Sequence, residues 1–183
     1  MTDKLIGLQP EFLNLVNTLL TNCKSKYNLT MTPIQGLRTI QDQAKLWRQG
    51  RSGTMVASQI QKLQNSGAPY LASVLNGVGP QPGDLVVTNA IPGYSWHNWG
   101  YALDCYVSQN GHLIFEQDDP LMATIGDAGY KTYADEAQSI GLRAGYYFTG
   151  RLQDRPHVQM FNQEVPVKYT LKQVNDHFGS EET

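Results

Sequence analysis

The 183-residue chain is long enough to fold as one domain with its own hydrophobic core. Its 40% hydrophobic and 16% charged residues are ordinary for a soluble globular protein. A net charge of −2 without any basic run argues against nucleic acid or an anionic membrane as the main partner.

The first ten residues lack the succession of charged, apolar and small residues that marks a secretory signal, and no apolar run approaches the length of a membrane span. We therefore expect synthesis in the cytoplasm without a signal peptide and no stable association with a membrane. Any target outside the cell must be reached by another route.

The two cysteines, Cys23 and Cys105, fall within a predicted helix and a predicted strand. A chain of this size does not need a disulfide framework. We therefore expect both cysteines to be small, buried apolar side chains.

The N-terminal part of the chain gives helix and strand signals in turn. Pro10 is placed like the first residue of a helix, and apolar residues at helical spacing continue the helix to about residue 26. The following β-branched residues predict a strand over Leu29–Leu37. Thr39 is then placed to cap a second helix together with Asp42, and Gly50 ends that helix.

Residues 52–80 predict a helical insertion. Their apolar spacing indicates two short helices broken at Gly67-Ala68-Pro69, followed by a turn rich in glycine and proline. The insertion either covers one side of a substrate groove or is an ordinary helical hairpin without contact to substrate, since apolar residues at helical spacing are core by default.

Two strands are predicted in the middle of the chain. The first is short, Leu85–Thr88, and a loop introduced by Pro92-Gly93 separates it from the second, Tyr101–Val107. Alternation along the second strand points Asp104 away from the apolar face.

The loop before that strand carries His97. Gly100 has the backbone freedom to fold the loop back and bring His97 beside Asp104. An imidazole and a carboxylate that converge are two-thirds of a catalytic zinc site, which takes three protein ligands and leaves a position open for water. The third ligand must come from elsewhere in the chain.

A later segment around Pro156 completes the predicted site. The proline forces Arg155 toward extended geometry, so we expect a strand in which His157 lies on the face opposite to Val158. His157 is the third candidate ligand. Asp154 precedes the proline and is placed to approach a metal-bound water without being a ligand.

The remaining signals are those of a hairpin and two helices. An Asn110-Gly111 turn predicts a hairpin that returns along Leu113–Phe115. A helix is predicted over residues 120–140. Residues 166–178 predict a closing strand and a short helix, with His177 on its surface.

Two motifs resemble those of the LAS-type zinc peptidases of the M15 family. They are Ser-x-His-x-x-Gly-x-Ala-x-Asp, from Ser95 to Asp104, and Asp-x-Pro-His, from Asp154 to His157. The resemblance covers most of residues 30–160 and includes the upstream Gly-x-Arg-Thr at residues 36–39. This group includes D-alanyl-D-alanine carboxypeptidases and dipeptidases and the bacteriophage L-alanyl-D-glutamate endopeptidases.

The resemblance implies a role for six residues. The implied zinc ligands are His97, Asp104 and His157. The implied general base is Asp154, and the implied substrate contacts are Arg38 and Ser95. Two of these have ordinary alternatives, since a lone arginine after a strand is more often a surface ion pair and an aspartate here also suits a turn cap.

The resemblance also implies a fold and an activity. The expected fold is α+β, a small antiparallel sheet flanked by helices of the LAS/Hedgehog type, forming a single domain over residues 1–183 without a separate cell-wall-binding domain. Aspartate rather than glutamate at position 154 resembles the endolysin branch. We therefore expect a zinc-dependent phage endolysin that hydrolyses the L-alanyl-D-glutamate bond of peptidoglycan, as a monomer that a partner such as a holin releases to the cell wall.

Two alternatives remain open at this point. One is a D-alanyl-D-alanine carboxypeptidase or dipeptidase. The other is a metal-bound but inactive wall-binding module that keeps the fold for recognition.

Overall fold

The computed structural model describes residues 4–115, 117–150 and 153–180. The helices are α1 Pro10–Tyr27, α2 Ile40–Arg48, α3 Gly53–Asn65, α4 Pro69–Gly77, α5 Asp127–Ser139, α6 Val165–Lys168 and α7 Leu171–Ser180. The strands are β1 Thr30–Gln35, β2 Ala102–Gln109, β3 His112–Ile114, β4 Arg143–Ala144 and β5 His157–Gln159. The fold is therefore α+β, as predicted. None of the described helices is both long and apolar enough to cross a membrane.

One compact unit, drawn from residues 1–37 and 100–162, contains the sheet. Its strands lie in the order β1-β2-β5-β4, with β3 also paired to β2, and every pairing is antiparallel. Alternation along β2 turns three side chains into the core, each at most 1% exposed: Leu103, Cys105 and Val107. The opposite face of β2 carries Asp104 and Ser108.

A buried carboxylate joins α1 to α5 in this unit. Glu136 is 4% exposed and accepts hydrogen bonds from Asn22 Nδ2 at 2.7 Å, Lys26 Nζ at 2.8 Å and the Tyr27 hydroxyl at 3.1 Å. The hydrogen bond from Lys26 is the main influence that lowers the pKa of Glu136, and burial only partly opposes it. The carboxylate is therefore buried with its partners in place.

A second compact unit, drawn from residues 38–99 and 163–183, is helical. Within it, α4 packs against α2, α3 and α7. Asn175 in α7 caps α4, because its Oδ1 accepts the backbone N–H of Tyr70 at 2.9 Å. The two short helices predicted within residues 52–80 are α3 and α4, and α4 packs against both α2 and α7 in this unit.

Several local predictions are confirmed. Thr39 caps α2 by accepting the N–H of Asp42 at 3.0 Å. Cys23 and Cys105 are free and buried. His177 is exposed on α7, although its ring stacks on Trp99 with a centroid distance of 4.4 Å.

Three predicted elements are wrong in type or extent. Leu85–Thr88 is not a strand, because the described residues offer this apolar run no partner strand, and Leu85 is left 79% exposed. The helix predicted over residues 120–140 opens with a separate π-helical turn, Met122–Gly126, before α5 begins. The predicted closing strand is the short helix α6, because Pro166 lies in its first turn, where a proline suits helix initiation.

Candidate metal centre

Asp104 and His157 face each other on neighbouring strands. Asp104 lies in β2 and His157 in β5, and the antiparallel register makes them direct partners. His157 Nδ1 lies 2.9 Å from Asp104 Oδ1, and the two side chains are 11% and 16% exposed. Side chains of direct cross-strand partners are neighbours, so the sheet itself brings the imidazole and the carboxylate together.

A 3₁₀ turn, Trp96–Trp99, holds His97 and buries it to 3% exposure. Asn98 anchors this turn, because its Oδ1 accepts the N–H of Gly93 at 3.1 Å and its Nδ2 donates to the carbonyl of Arg38 at 3.0 Å. The carbonyl of His97 accepts the N–H of Arg38 at 3.0 Å. The backbone that presents His97 is therefore fixed on both sides.

The three candidate ligands come together in the structure. One candidate ligand atom from each of His97, Asp104 and His157 lies within 4.8 Å of the other two. Two imidazole nitrogens and one carboxylate oxygen are a donor set that zinc accepts, and three protein ligands leave a coordination position for water. The residues present therefore fit a catalytic zinc ion.

The environment of His157 affects its protonation. Burial lowers the pKa of His157, but the hydrogen bond that the ring donates to Asp104 and the negative charges of Asp104 and Asp154 outweigh burial, and the pKa is raised above its usual value. In the metal-free protein the imidazole therefore retains a proton to higher pH. A metal ion that binds His157 must displace that proton.

Asp154 is exposed and lies in a hydrogen-bonded turn that leads into β5. Its N–H donates to the carbonyl of Gly145 at 3.0 Å, and its own carbonyl accepts the N–H of His157 at 3.2 Å. The residue also lines an open cavity of about 280 Å³ together with Tyr106 and Arg155. A carboxylate that is held by its backbone and open to solvent suits a general base, which must reach both water and substrate.

Gly145 is needed for the close approach of the chain at this turn. A Cβ atom at Gly145 would overlap the carbonyl oxygen of Asp154 and lie 2.9 Å from the Cβ of His157. Only glycine fits there without displacing one of those two residues.

Arg38 is oriented by a buried amide. Its Nη1 donates to Gln43 Oε1 at 2.9 Å, and Gln43 Nε2 donates to the carbonyl of Ala90 at 2.7 Å. Gln43 is fully buried. One edge of the guanidinium group is therefore fixed, which favours a specific role for Arg38 over that of a mobile surface cation.

Ser95 shapes the turn that carries His97. Its Oγ accepts the N–H of His97 at 3.4 Å, and its carbonyl accepts the N–H of Asn98 at 2.9 Å. These bonds give Ser95 a role at the start of the 3₁₀ turn. Its contact with substrate stays a prediction.

Sequence reasoning assigned no role to three residues that build the site. They are Asn98 in the 3₁₀ turn, Gly145 beside Asp154, and Gln159, whose Oε1 lies 3.0 Å from His157 Nε2. The sequence offers one signal for Gln159, since it lies two residues after a candidate ligand and shares its face of the strand.

Comparison with protein families matches residues 6–147 to the family described as VanY, D-alanyl-D-alanine carboxypeptidase. The matched residues include His97 and Asp104. They end before Asp154 and His157. No curated protein matches the sequence significantly.

Among solved structures, the chain is similar to the L-Ala D-Glu endopeptidase ChiX of Serratia marcescens, with 14% identity over 87% of this chain and 84% of that chain and a TM-score of 0.45. It is also similar to a mutant of the vancomycin resistance D,D-pentapeptidase VanY from a VanB-type resistance cassette, in complex with Zn(II). For that structure the identity is 12% over 92% of this chain and 78% of that chain, and the TM-score is 0.46.

Proposed function

Because the chain belongs to the VanY family of D-alanyl-D-alanine carboxypeptidases, we propose that it uses His97, Asp104 and His157 to hold the zinc ion with which it cleaves its substrate. The chain is a zinc metallopeptidase that acts on peptidoglycan peptides. The convergence of the three ligand atoms within 4.8 Å is the observation that carries the proposed ligand set.

The chemistry that zinc would supply in such a site is Lewis acidity, which polarises the scissile carbonyl and lowers the pKa of a bound water to about 7. Asp154 accepts a proton from the attacking water and later passes it to the leaving amine. This kind of proton transfer typically contributes ~10² to 10⁴ in rate. Asp154 is exposed, so its carboxylate is accessible to solvent.

Arg38 stabilises negative charge on the substrate. A guanidinium group is permanently charged and donates in a planar fork, which suits either the developing oxyanion or a substrate carboxylate. Gln43 holds Arg38 in one orientation and so reduces the ordering that substrate binding requires. Ser95 donates a hydrogen bond to the substrate from the same loop as His97.

Our proposal for the bond cleaved is the L-alanyl-D-glutamate bond of the stem peptide, in the role of a phage endolysin. The feature that supports it is aspartate rather than glutamate in the Asp-x-Pro-His motif at Asp154. The family description favours a second candidate, removal of the terminal D-alanine by a D,D-carboxypeptidase.

Mass spectrometry of digested peptidoglycan separates the two. New N-terminal D-glutamate supports the endopeptidase, whereas released D-alanine supports the carboxypeptidase. The zinc-loaded parent protein must release one of these products, and if it releases neither, the inactive wall-binding module is the correct account. The same digests made with Asp154→Asn serve as the negative control.

The endolysin role makes two further demands. The purified protein must reduce the turbidity of cells stripped of their outer membrane, and it must act as a monomer that needs a partner such as a holin to reach the wall. Light scattering on the purified protein tests the monomer. Co-expression with and without a holin tests the release.

A further inference from the structure

Gln159 lies beside His157 and is shielded from solvent. The side chain is in β5, two residues after the candidate ligand, and is 3% exposed. A buried amide needs hydrogen-bond partners for both its oxygen and its nitrogen. The partners of Gln159 therefore determine which nitrogen of the neighbouring imidazole carries a hydrogen.

The orientation of the amide follows from its two partners. One end lies 2.6 Å from the carbonyl oxygen of Phe161 and the other lies 3.0 Å from His157 Nε2. A backbone carbonyl only accepts hydrogen bonds, so the amide nitrogen must face Phe161. The amide oxygen Oε1 therefore faces the imidazole.

An amide oxygen also only accepts, so the ring nitrogen it faces must carry the hydrogen. His157 is thereby held as a donor at Nε2. Nδ1 lies 2.9 Å from Asp104 Oδ1, on the side of the candidate ligands, and without a metal it donates its hydrogen to that carboxylate. Because Gln159 holds Nε2 as a donor, Nδ1 is the nitrogen that would give up its hydrogen and bind a metal ion.

Phe148 lies 5.9 Å from the imidazole by ring centroids, and its ring has no hydrogen-bonding group. Turning the imidazole by 180° would point C–H groups at both Asp104 and Gln159 and lose both hydrogen bonds. Asp104 and Gln159 together therefore fix the orientation of the ring, and Gln159 fixes Nε2 as the nitrogen that keeps its hydrogen when a metal binds.

We propose that Gln159 is a positioning residue that fixes the tautomer and the rotation of His157, so that Nδ1 is presented to the zinc ion. The inference rests on the proposed metal centre and goes beyond it, because it assigns one ring nitrogen to the metal and names the residue that selects it. Partners of this kind on ligand histidines typically account for ~10- to 100-fold in metal affinity.

The test is the zinc dissociation constant of the full chain, measured by competition with a chromophoric chelator. Gln159→Met keeps the length of the side chain and removes the acceptor, and we expect zinc affinity to fall ~10- to 100-fold. Gln159→Glu keeps an oxygen toward His157 and places a second acceptor against the carbonyl of Phe161. We expect this variant to lose thermal stability but to keep zinc affinity within about threefold of the parent, because carboxylates are common partners of zinc-ligating histidines.

Asn175→Leu is the matched control. Asn175 is also a buried amide with backbone partners, but its Oδ1 accepts the N–H groups of Tyr70 and Leu71 at the start of α4. The control is expected to lose stability while its zinc affinity stays that of the parent. A general loss of packing would instead lower zinc affinity in all three variants in proportion to their stability, and that result would overturn the inference.

Nitrogen NMR of the histidine ring gives a second readout that does not depend on activity. In the zinc-loaded protein, the hydrogen of His157 must be on Nε2, and a hydrogen on Nδ1 would overturn the inference. If the parent protein binds zinc but does not cleave peptidoglycan, the proposed function is wrong and the role of Gln159 is unaffected. If the parent protein binds no zinc, both proposals are wrong.

Discussion

At the scale of single residues, the proposed metal centre puts a proton and a metal ion in competition for His157. The residue is almost buried, and its direct partner across the strands is the carboxylate of Asp104, at 2.9 Å. The hydrogen bond and charge of Asp104 raise the pKa of His157 in spite of its burial. In the metal-free protein, this pair contributes stability that is fully present below the ordinary histidine pKa of ~6.5 and is lost as pH rises through the raised value.

Zinc affinity should therefore increase with pH until it passes the raised pKa of His157, because each binding event releases the proton that the imidazole holds. Calorimetry in buffers of different ionisation enthalpy measures both the affinity and the number of protons released. A zinc affinity that does not change between about pH 6 and 8, with no proton released, would contradict this account of His157.

A substitution at Asp154 can separate an effect on catalysis from an effect on metal binding. Asp154→Asn should lower kcat by ~10² to 10⁴ with zinc content unchanged, because the side chain accepts a proton but is not a ligand. Asp118→Asn, at another exposed aspartate, should behave as the parent. Loss of zinc from Asp154→Asn would show that Asp154 takes part in holding the metal.

The sequence predicted the candidate ligands, but it did not predict the residues that orient them. His97, Asp104 and His157 were found because their side-chain types and spacing carry the chemistry of zinc binding. The roles of Gln159 and Asn98 depend on partners that only the folded chain brings near, such as the carbonyls of Phe161 and Arg38. No pattern along the sequence specifies those contacts.

At the scale of elements, the pairing of β2 with β5 matters most, since it sets Asp104 opposite His157. The strand β2 was predictable because Leu103, Cys105 and Val107 alternate with residues of the other face along its length. The apolar run Leu85–Thr88 carried a similar signal and is not a strand, because strand propensity is expressed only when a neighbour completes the hydrogen-bond ladder. The short strands β4 and β5 owe their existence to pairing in the same way.

A substitution at Gly145 tests whether the chain must pass close to Asp154 and His157 at this point. Gly145→Ala should destabilise the protein by about 1–3 kcal/mol and lower kcat, because the added methyl group meets the carbonyl of Asp154 and the Cβ of His157. Denaturant titration and peptidase assays measure the two effects. Gly77→Ala, where an added Cβ meets nothing within 4 Å, should leave both unchanged, and equal behaviour of the two variants would contradict the close approach at Gly145.

The carboxylate that joins α1 to α5 gives a second prediction at this scale. Glu136→Gln should lower the free energy of unfolding by about 1–3 kcal/mol at pH 7, because it replaces a buried, charge-assisted acceptor. The pKa of Glu136 is lowered in the folded state, so its contribution is present above the ordinary carboxyl pKa and is lost as pH falls through the lowered value.

Denaturation curves at pH 7 and near pH 3 measure this dependence, and the difference between parent and variant should shrink on the acid side. Asp176→Asn, in an exposed pair with Lys172, is the control and should change stability little. An equal loss in Glu136→Gln at both pH values would mean that the carboxylate charge is not what stabilises the pair of helices.

At the scale of the whole molecule, family membership and site geometry supply different parts of the account. The family match spans residues 6–147 and identifies a zinc metallopeptidase, but it ends before Asp154 and His157. Those two residues are predicted from the Asp-x-Pro-His motif, and the pairing of β5 with β2 sets His157 against Asp104 in the structure. Family membership supports zinc-dependent peptide hydrolysis, whereas product analysis of peptidoglycan digests identifies which bond is cleaved.

The most direct test of the central claim is the zinc content of the purified, zinc-loaded chain, measured by elemental analysis beside single alanine variants at His97, Asp104 and His157. The account predicts one zinc ion per chain in the parent and in Asp154→Asn, and loss of tightly bound zinc in each of the three ligand variants. A parent that binds no zinc, or a His157→Ala variant that keeps the full complement, would contradict it.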